Sequence, residues 1–423
     1  MTHIWIDARA PYAGQKLYSI TLVERLLRQL FELGIRQHVT VVLRPEMQLA
    51  PWMRTDFWPR YPIAFDTVQT EAPLLDLLRT PAVSSAPIIL LEGDGIYDER
   101  ILTTLLTSRT STWIDNPHQS RAPLAVALQP HDRQHVESSA IDCPQVLRQG
   151  VCAGWLNRLS VDDMDAYIVD LRQHATPFLL RLEHPGQIRD IENALYDKTF
   201  KGVMDFIATY IYRIPVRGLV RLLAPSRITP NMVTAMSVLC SFAAIPLFAM
   251  GWLWTGFLAA YTFVICDSLD GKLARMTIRL SKLAGKIDHA TSTPFECCYY
   301  LAWAWHFSGG NLTAWPAKAA LFLFVCFCLD KITTGTFSRR FQRSLFDYAP
   351  WDARFHLVAG RRTINFSLMA IGCALQQPAP ALTVTAIWMF ITMSWHMSRF
   401  AWHARRGKHR TAGRLGKVSP CNP

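Results

Sequence analysis

The ten cysteines include no pair in C-x-x-C spacing. Cys240, Cys266, Cys297, Cys298, Cys326, Cys328 and Cys373 lie in or beside apolar runs, which reads as inert buried thiols in a reducing compartment. Acidic residues are short of basic ones, 32 against 44, for a formal net charge of +12. That surplus points to nucleic acid or to anionic lipid, and the position of the charges decides between them. The opening stretch MTHIWIDARAPYAG has no basic region followed by an apolar core, so no signal peptide is expected. No internal repeat or low-complexity tract occurs. Before about residue 200 no apolar run reaches membrane length; after residue 228 such runs dominate. With 423 residues, half of them hydrophobic, the chain has room for two or three domains of contrasting character.

Residues 1–192 read as an α/β domain. HIWIDA and VTVVLR are short apolar strands, with the amphipathic stretch TLVERLLRQLFELGI between them. APIILLEGDGIYDERILTTLL repeats the theme as strand, Gly-Asp-Gly turn and helix. Such alternation predicts a mostly parallel sheet.

Residues 193–227 mix aromatics with Lys198, Lys201, Arg213, Arg217, Arg221 and Arg227. The pattern suits a basic amphipathic segment lying on a membrane surface; a solvated linker helix is the alternative. Six apolar segments follow within 228–405, at about 231–250, 252–270, 286–307, 314–334, 363–378 and 381–402. They predict an all-α domain of six transmembrane helices. The loops AMGW, FSGGNLT and QQPAPA carry no Lys or Arg. The opposite loops carry Lys272, Arg275, Arg279, Lys282 and Lys286, then Arg339, Arg340, Arg343, Arg354, Arg361 and Arg362. A basic tail, 406–423, continues that side. By the positive-inside rule both termini and the charged loops are cytoplasmic, with Trp252, Trp254 and Trp315 at the far interface. Topology and anionic lipid then account for the positive charge, and no nucleic acid is expected.

The second segment ends on CDSLDGKLAR. A charge at mid-bilayer costs roughly 2.5–3.5 kcal/mol on insertion scales, so two carboxylates there need compensation. At about 100° per residue, Asp267, Asp270, Gly271 and Ala274 share one helix face. Asp288, early in the next segment, falls at similar depth. Three carboxylates without an equal number of buried bases suit hard divalent cations, Mg²⁺ or Mn²⁺. Arg275 adds a charge-assisted phosphate contact, and Gly271 and Ala274 leave room for a bulky ligand. An interfacial cluster neutralised by neighbouring Lys and Arg is the structural alternative.

Asp267, Asp270, Gly271, Ala274, Arg275 and Asp288 stand in the register D-x2-D-G-x2-A-R-x8-G-x3-D-x3-D, which closely resembles the signature of the CDP-alcohol phosphatidyltransferase family. The resemblance extends upstream to ITPNMVT, with Pro230, Asn231 and Thr234, and downstream to DARFHLVAGRRTINF, covering about 195–405. It implies transfer of a phosphoalcohol group from a CDP-alcohol, often CDP-diacylglycerol, to an acceptor hydroxyl, with release of CMP. It further implies two Mg²⁺ or Mn²⁺ ions on Asp267, Asp270 and Asp288, and a CDP site formed by Asp267, Gly271, Ala274, Arg275, Asn231 and Thr234. Arg217, Arg361 and Arg362 are candidates for an acceptor phosphate. Expected partners are therefore the CDP-alcohol, the acceptor and membrane lipid, and a homodimer is compatible with the pattern.

Two positions depart from the signature. Ala284 replaces a glycine, with Gly285 following. Ser292 replaces the fourth aspartate, usually a metal ligand and the general base, and serine is a poor base at neutral pH. Glu296, one turn further on the same face and about 6 Å deeper, is the favoured substitute. His289 adjoins Asp288 but points about 100° away. The structural alternative for Glu296 is an ion pair with Lys331, while Asp330 and Lys331 could form a pair of their own.

The N-terminal half resembles a sugar-phosphate nucleotidyltransferase domain in KLYSITLVERLLRQLFELGIRQHVTVVL, IILLEGDGIYDERIL and GQIRDIENAL. The resemblance implies a glycine-rich nucleotide cradle near 8–16, where ARAPYAGQK supplies only Gly14. A degenerate, non-catalytic half is expected, with Asp94 as its one candidate metal ligand. Four readings follow: the membrane transferase, a bifunctional enzyme that makes and uses a CDP-polyol, a membrane scaffold crippled at Ser292, and a transporter, against which the charge-poor loops argue.

Overall fold

The computed structural model describes residues 2–54, 62–72, 86–135, 143–168, 171, 173–200, 202–279, 282–341 and 343–407. Seven strands form the N-terminal sheet: β1 (His3–Asp7), β2 (Val39–Leu43), β3 (Phe65–Gln69), β4 (Ile88–Glu92), β5 (Thr112–Asp115), β6 (Ala125–Leu128) and β7 (Asn157–Ser160). Their order is β7-β5-β6-β4-β1-β2-β3. Both contacts of β6 are antiparallel, and the other four neighbour pairs are parallel. The mostly parallel sheet is thus present, with one reversed strand inside it.

Strand periodicity shows why these runs are apolar throughout. Ile4, Ile6, Ile89, Leu91, Ala125 and Ala127 enter one core, while the intervening Trp5, Ile88, Leu90, Val126 and Leu128 enter another. Both faces are covered, as a parallel sheet requires. Helix α1 (Leu22–Glu32) starts where the Thr21 hydroxyl accepts from Glu24 N at 3.2 Å. After β4 the Gly93–Asp94–Gly95 turn leads to α2 (Glu99–Thr107), whose N-cap is Asp98. A further helix, α3 (Cys143–Cys152), precedes β7. Helix α4 (Ile188–Asp197) runs through the expected boundary at 192.

A π-helical turn, Ile207–Ile211, leads into α5 (Arg213–Leu223). Val216 and Val220 are buried, whereas Phe206, Tyr210, Ile211, Ile214 and Leu222 stay exposed. The basic side chains of this segment turn to the N-terminal half: Arg213 and Arg217 pair with Asp197, and Arg221 with Glu192.

Helices then occupy each of the six apolar segments: α6 (Pro230–Ala249), α7 (Leu253–Thr277), α8 (Lys282–Ser308), α9 (Trp315–Phe341), α11 (Arg362–Ala374) and α12 (Pro378–Gly407). The short α10 (Pro350–His356) precedes α11. Among the described residues two of them, α6 and α9, are long and apolar enough to cross a membrane. At 13 residues, α11 is about 20 Å long. Trp252, Trp254 and Trp315 are exposed at helix ends. Eight free cysteines are described; Cys297, Cys326 and Cys373 are buried and Cys152 is exposed.

Candidate functional site

The last turns of α7 carry Asp267, Asp270, Gly271, Ala274 and Arg275. Asp270 is buried, and its Oδ2 accepts from Thr234 Oγ1 at 2.5 Å. Thr234 lies in the first turns of α6, which opens with Thr229 as N-cap and Pro230 at the first helical position, where the missing N–H costs nothing. ITPNMVT therefore places a hydroxyl on the second carboxylate of the motif. The Arg275 guanidinium lies over Gly271, where an added Cβ would stand 3.4 Å from Nη2. Ala274 is buried, and Asn231 is exposed at the start of α6.

Asp267 meets a base from another helix. Arg362, the first residue of α11, donates from Nη1 to Asp267 Oδ2 at 3.2 Å, and its Nε lies 3.8 Å from Glu296 Oε2. The guanidinium also covers the Phe263 ring at 4.6 Å. Glu296, on α8, is 3% exposed. Its Oε1 accepts from Tyr300 OH at 2.9 Å, and that hydroxyl accepts from Asn365 Nδ2 at 2.9 Å. Neither Tyr300 nor Asn365 was singled out by sequence reasoning; a lone Asn within the apolar run TINFSLMAIG was the available signal.

Arg361 turns aside: its Nη1 lies 2.6 Å from His356 Nε2, and its guanidinium stacks over Phe346. Arg217 is bonded to Asp197 and Asn193 at 2.9 and 3.2 Å, a contact with α4 that ties α5 to the N-terminal half. The expected acceptor-phosphate candidate Arg217 thus makes a tethering contact in this structure. Asp330 pairs with His396 at 2.6 Å, not with Lys331, whose ammonium lies over Phe327. Asp288, His289 and Ser292 belong to α8, but the side chains of 282–292 lie outside the described residues.

No group of three His, Cys, Asp or Glu placed to hold a metal occurs among the described residues. The two carboxylates of α7 nevertheless fit a hard divalent cation. Both offer only oxygen, and among the described residues Arg362 pairs with Asp267 and Glu296.

The family model described as CDP-alcohol phosphatidyltransferase matches residues 227–404. The C-terminal half carries a CDP-alcohol phosphatidyltransferase domain. The phosphatidylinositol phosphate synthase of Cutibacterium acnes is 31% identical to this chain over 96 residues, which are 22% of this chain and 46% of that protein. The match therefore spans under half of that curated relative. Among solved structures, a phosphatidylinositol phosphate synthase of Mycobacterium tuberculosis with CDP-DAG bound is 18% identical, with TM-score 0.34, over 50% of this chain and 99% of that one. A 4-diphosphocytidyl-2C-methyl-D-erythritol synthase is 12% identical, with TM-score 0.31, over 46% and 97%.

In the N-terminal half, beside the phosphatidyltransferase domain, Arg181 occupies the carboxylates of the Gly-Asp-Gly turn. Its Nε donates to Asp94 Oδ2 and its Nη1 to Glu92 Oε2, each at 2.9 Å. Burial raises both carboxyls above their ordinary values, and Arg181 offsets part of that rise. Gly14 serves packing: a Cβ there would stand 2.6 Å from the Trp52 ring.

Proposed function

We propose that the chain is an integral membrane transferase that moves a phosphoalcohol group from a CDP-alcohol, with CDP-diacylglycerol as leading donor, to an acceptor hydroxyl, releasing CMP. The carrying observation is that Asp267 and Asp270 sit together on one helix face, joined by Thr234 and Arg362 to α6 and α11. Asp267, Asp270 and Asp288 would hold two Mg²⁺ or Mn²⁺ ions, which when bound neutralise a diphosphate and the charge developing on the leaving CMP. Thr234 orients Asp270, and Arg275 with Asn231, Gly271 and Ala274 receives the CDP. Glu296 Oε2 takes the proton of the acceptor hydroxyl as its oxygen bonds to phosphorus and the bond to CMP breaks. Tyr300 fixes the carboxylate through Oε1. Arg362, beside both Asp267 and Glu296, receives an acceptor phosphate.

On this reading the chain is a multi-pass protein of the cytoplasmic membrane, with both termini and the site on the cytoplasmic side, and the one-sided distribution of basic loops supports it. Exposed apolar residues beside the basic face of 206–223 suit the membrane surface. Arg181 on Glu92 and Asp94, and Trp52 on Gly14, support a non-catalytic N-terminal half over the bifunctional enzyme. Ser292 favours one second reading, a scaffold without turnover.

The test is incubation of purified protein with CDP-diacylglycerol, Mn²⁺ and a panel of alcohols and phospho-alcohols, measuring CMP. Release that depends on one acceptor supports the transferase. No release with any acceptor leaves the scaffold.

A further inference from the structure

A helix leaves its last four carbonyls without intrahelical partners, and its C-terminus carries partial negative charge. At the end of α7 the chain breaks off through Ile278 in the left-handed region (φ 47°), and Arg279 N closes back on Ala274 O at 2.8 Å. The carbonyls of Met276 and Thr277 are taken by the N-terminal half. Arg25 Nη2 donates to Met276 O at 2.5 Å, and Arg28 Nη1 to Thr277 O at 2.7 Å. Both arginines lie one turn apart on α1. Arg25 is 6% and Arg28 0% exposed, so each would be costly to bury without these acceptors. Arg28 is further held by Glu24, which accepts from Arg54 N, and Arg54 Nη1 donates to Ala224 O at the end of α5. Three arginines of one domain thus grip the carbonyl ends of two helices in the other.

Met276 directly follows Arg275, and Thr277 is seven residues beyond Asp270, about 10 Å along the helix. A rigid helix transmits a displacement at its end to every side chain on it. We propose that the N-terminal domain positions the motif helix: Arg25 and Arg28 hold α7 by Met276 and Thr277, and thereby set where Asp267, Asp270 and Arg275 stand. They are positioning residues, since neither touches a reacting group. The proposal rests on the transferase reading for its kinetic test alone.

Full-length protein in nanodiscs carries the test, as Arg25→Met, Arg25→Lys, and Arg28→Met combined with Glu24→Gln so that no buried charge is stranded. Amide hydrogen exchange is measured over Leu269–Thr277, with the first turns of α7 as internal reference. Each Met variant is expected to speed exchange at the helix end about 10–100-fold, as for loss of one charge-assisted hydrogen bond. CMP release should fall in kcat by about 10²-fold, the effect of roughly 1 Å of misplacement, with KM for the donor little changed. Arg25→Lys should recover part of both. Unchanged exchange over Leu269–Thr277 in both Met variants overturns the proposal, as does a normal kcat beside faster exchange. Faster exchange in a protein whose wild type releases no CMP supports the grip and overturns the transferase reading instead.

Discussion

Arg362 Nη1 lies 3.2 Å from Asp267 Oδ2, so the first arginine of α11 holds the first carboxylate of the α7 motif. A divalent cation on Asp267 must compete with that guanidinium for the same oxygen. Arg362→Met should therefore tighten Mn²⁺ binding about tenfold or more, the scale of one hydrogen bond to a charged group. Asp267→Asn and Asp270→Asn should each weaken it by more than the roughly 10–100-fold typical of outer-shell changes. Calorimetry or paramagnetic resonance of the bound ion checks both. Unchanged affinity in the two Asn variants would remove the metal assignment.

Glu296 is the nearest described carboxylate to the position of Ser292 on the same helix face, and Tyr300 holds it through Oε1. Glu296→Gln should lower CMP release by about 10²–10⁴-fold, the usual range for a lost general base, while metal binding is largely kept. Tyr300→Phe should give a smaller loss. Adding Ser292→Asp to Glu296→Gln should recover much of the activity. Normal turnover in Glu296→Gln, with strong activation of the wild type by Ser292→Asp, would make Glu296 structural.

The proposed orientation predicts opposite accessibility at two exposed positions. Leu312, in the turn before α9, should be labelled from outside intact cells when replaced by Cys. Arg354→Cys, on α10, should not be. The reverse pattern would invert the topology.

The buried cluster of Glu92, Asp94 and Arg181 makes stability depend on pH in an unusual direction. Both carboxyls sit above their ordinary values, so between the ordinary and the raised value the folded protein holds protons that the unfolded chain has released. Their contribution to stability therefore falls as pH rises through that window. In Glu92→Gln combined with Asp94→Asn, the thermal midpoint should lose this part of its decline. Arg181→Met should cost about 3–5 kcal/mol at neutral pH, as for a broken buried ion pair, and less in acid. A midpoint with the same pH slope in wild type and double variant would count against it.

Much of the fold was legible because its signals are local. IWI, VVL and IILL are apolar at consecutive positions because a covered sheet buries both faces. The motif register located Asp267, Asp270 and Arg275 without any tertiary information. What stayed hidden depends on distant partners. Nothing in RGLVRLL reveals that Arg217 faces Asp197 across the chain, and the adjacency of Asp330 and Lys331 concealed that Asp330 turns to His396, 66 residues away. Glu296 was legible as a buried carboxylate; its tyrosine was not, since a Tyr in an apolar run reads as packing.

Leu17, Tyr18, Leu22, Ile96, Leu182 and Ile191 belong to the same apolar cluster as Phe263, Tyr299, Phe366 and Met389. The ribosome delivers the first set roughly 70 to 370 residues before the second, so at synthesis rates of about 5–20 residues per second the early face waits several seconds or more for its cover. A nascent N-terminal half released alone would expose that face and the bare guanidinium groups of Arg25 and Arg28. The two halves are then one cooperative unit that is complete only once the C-terminal helices have been made, and heating should melt them in a single transition.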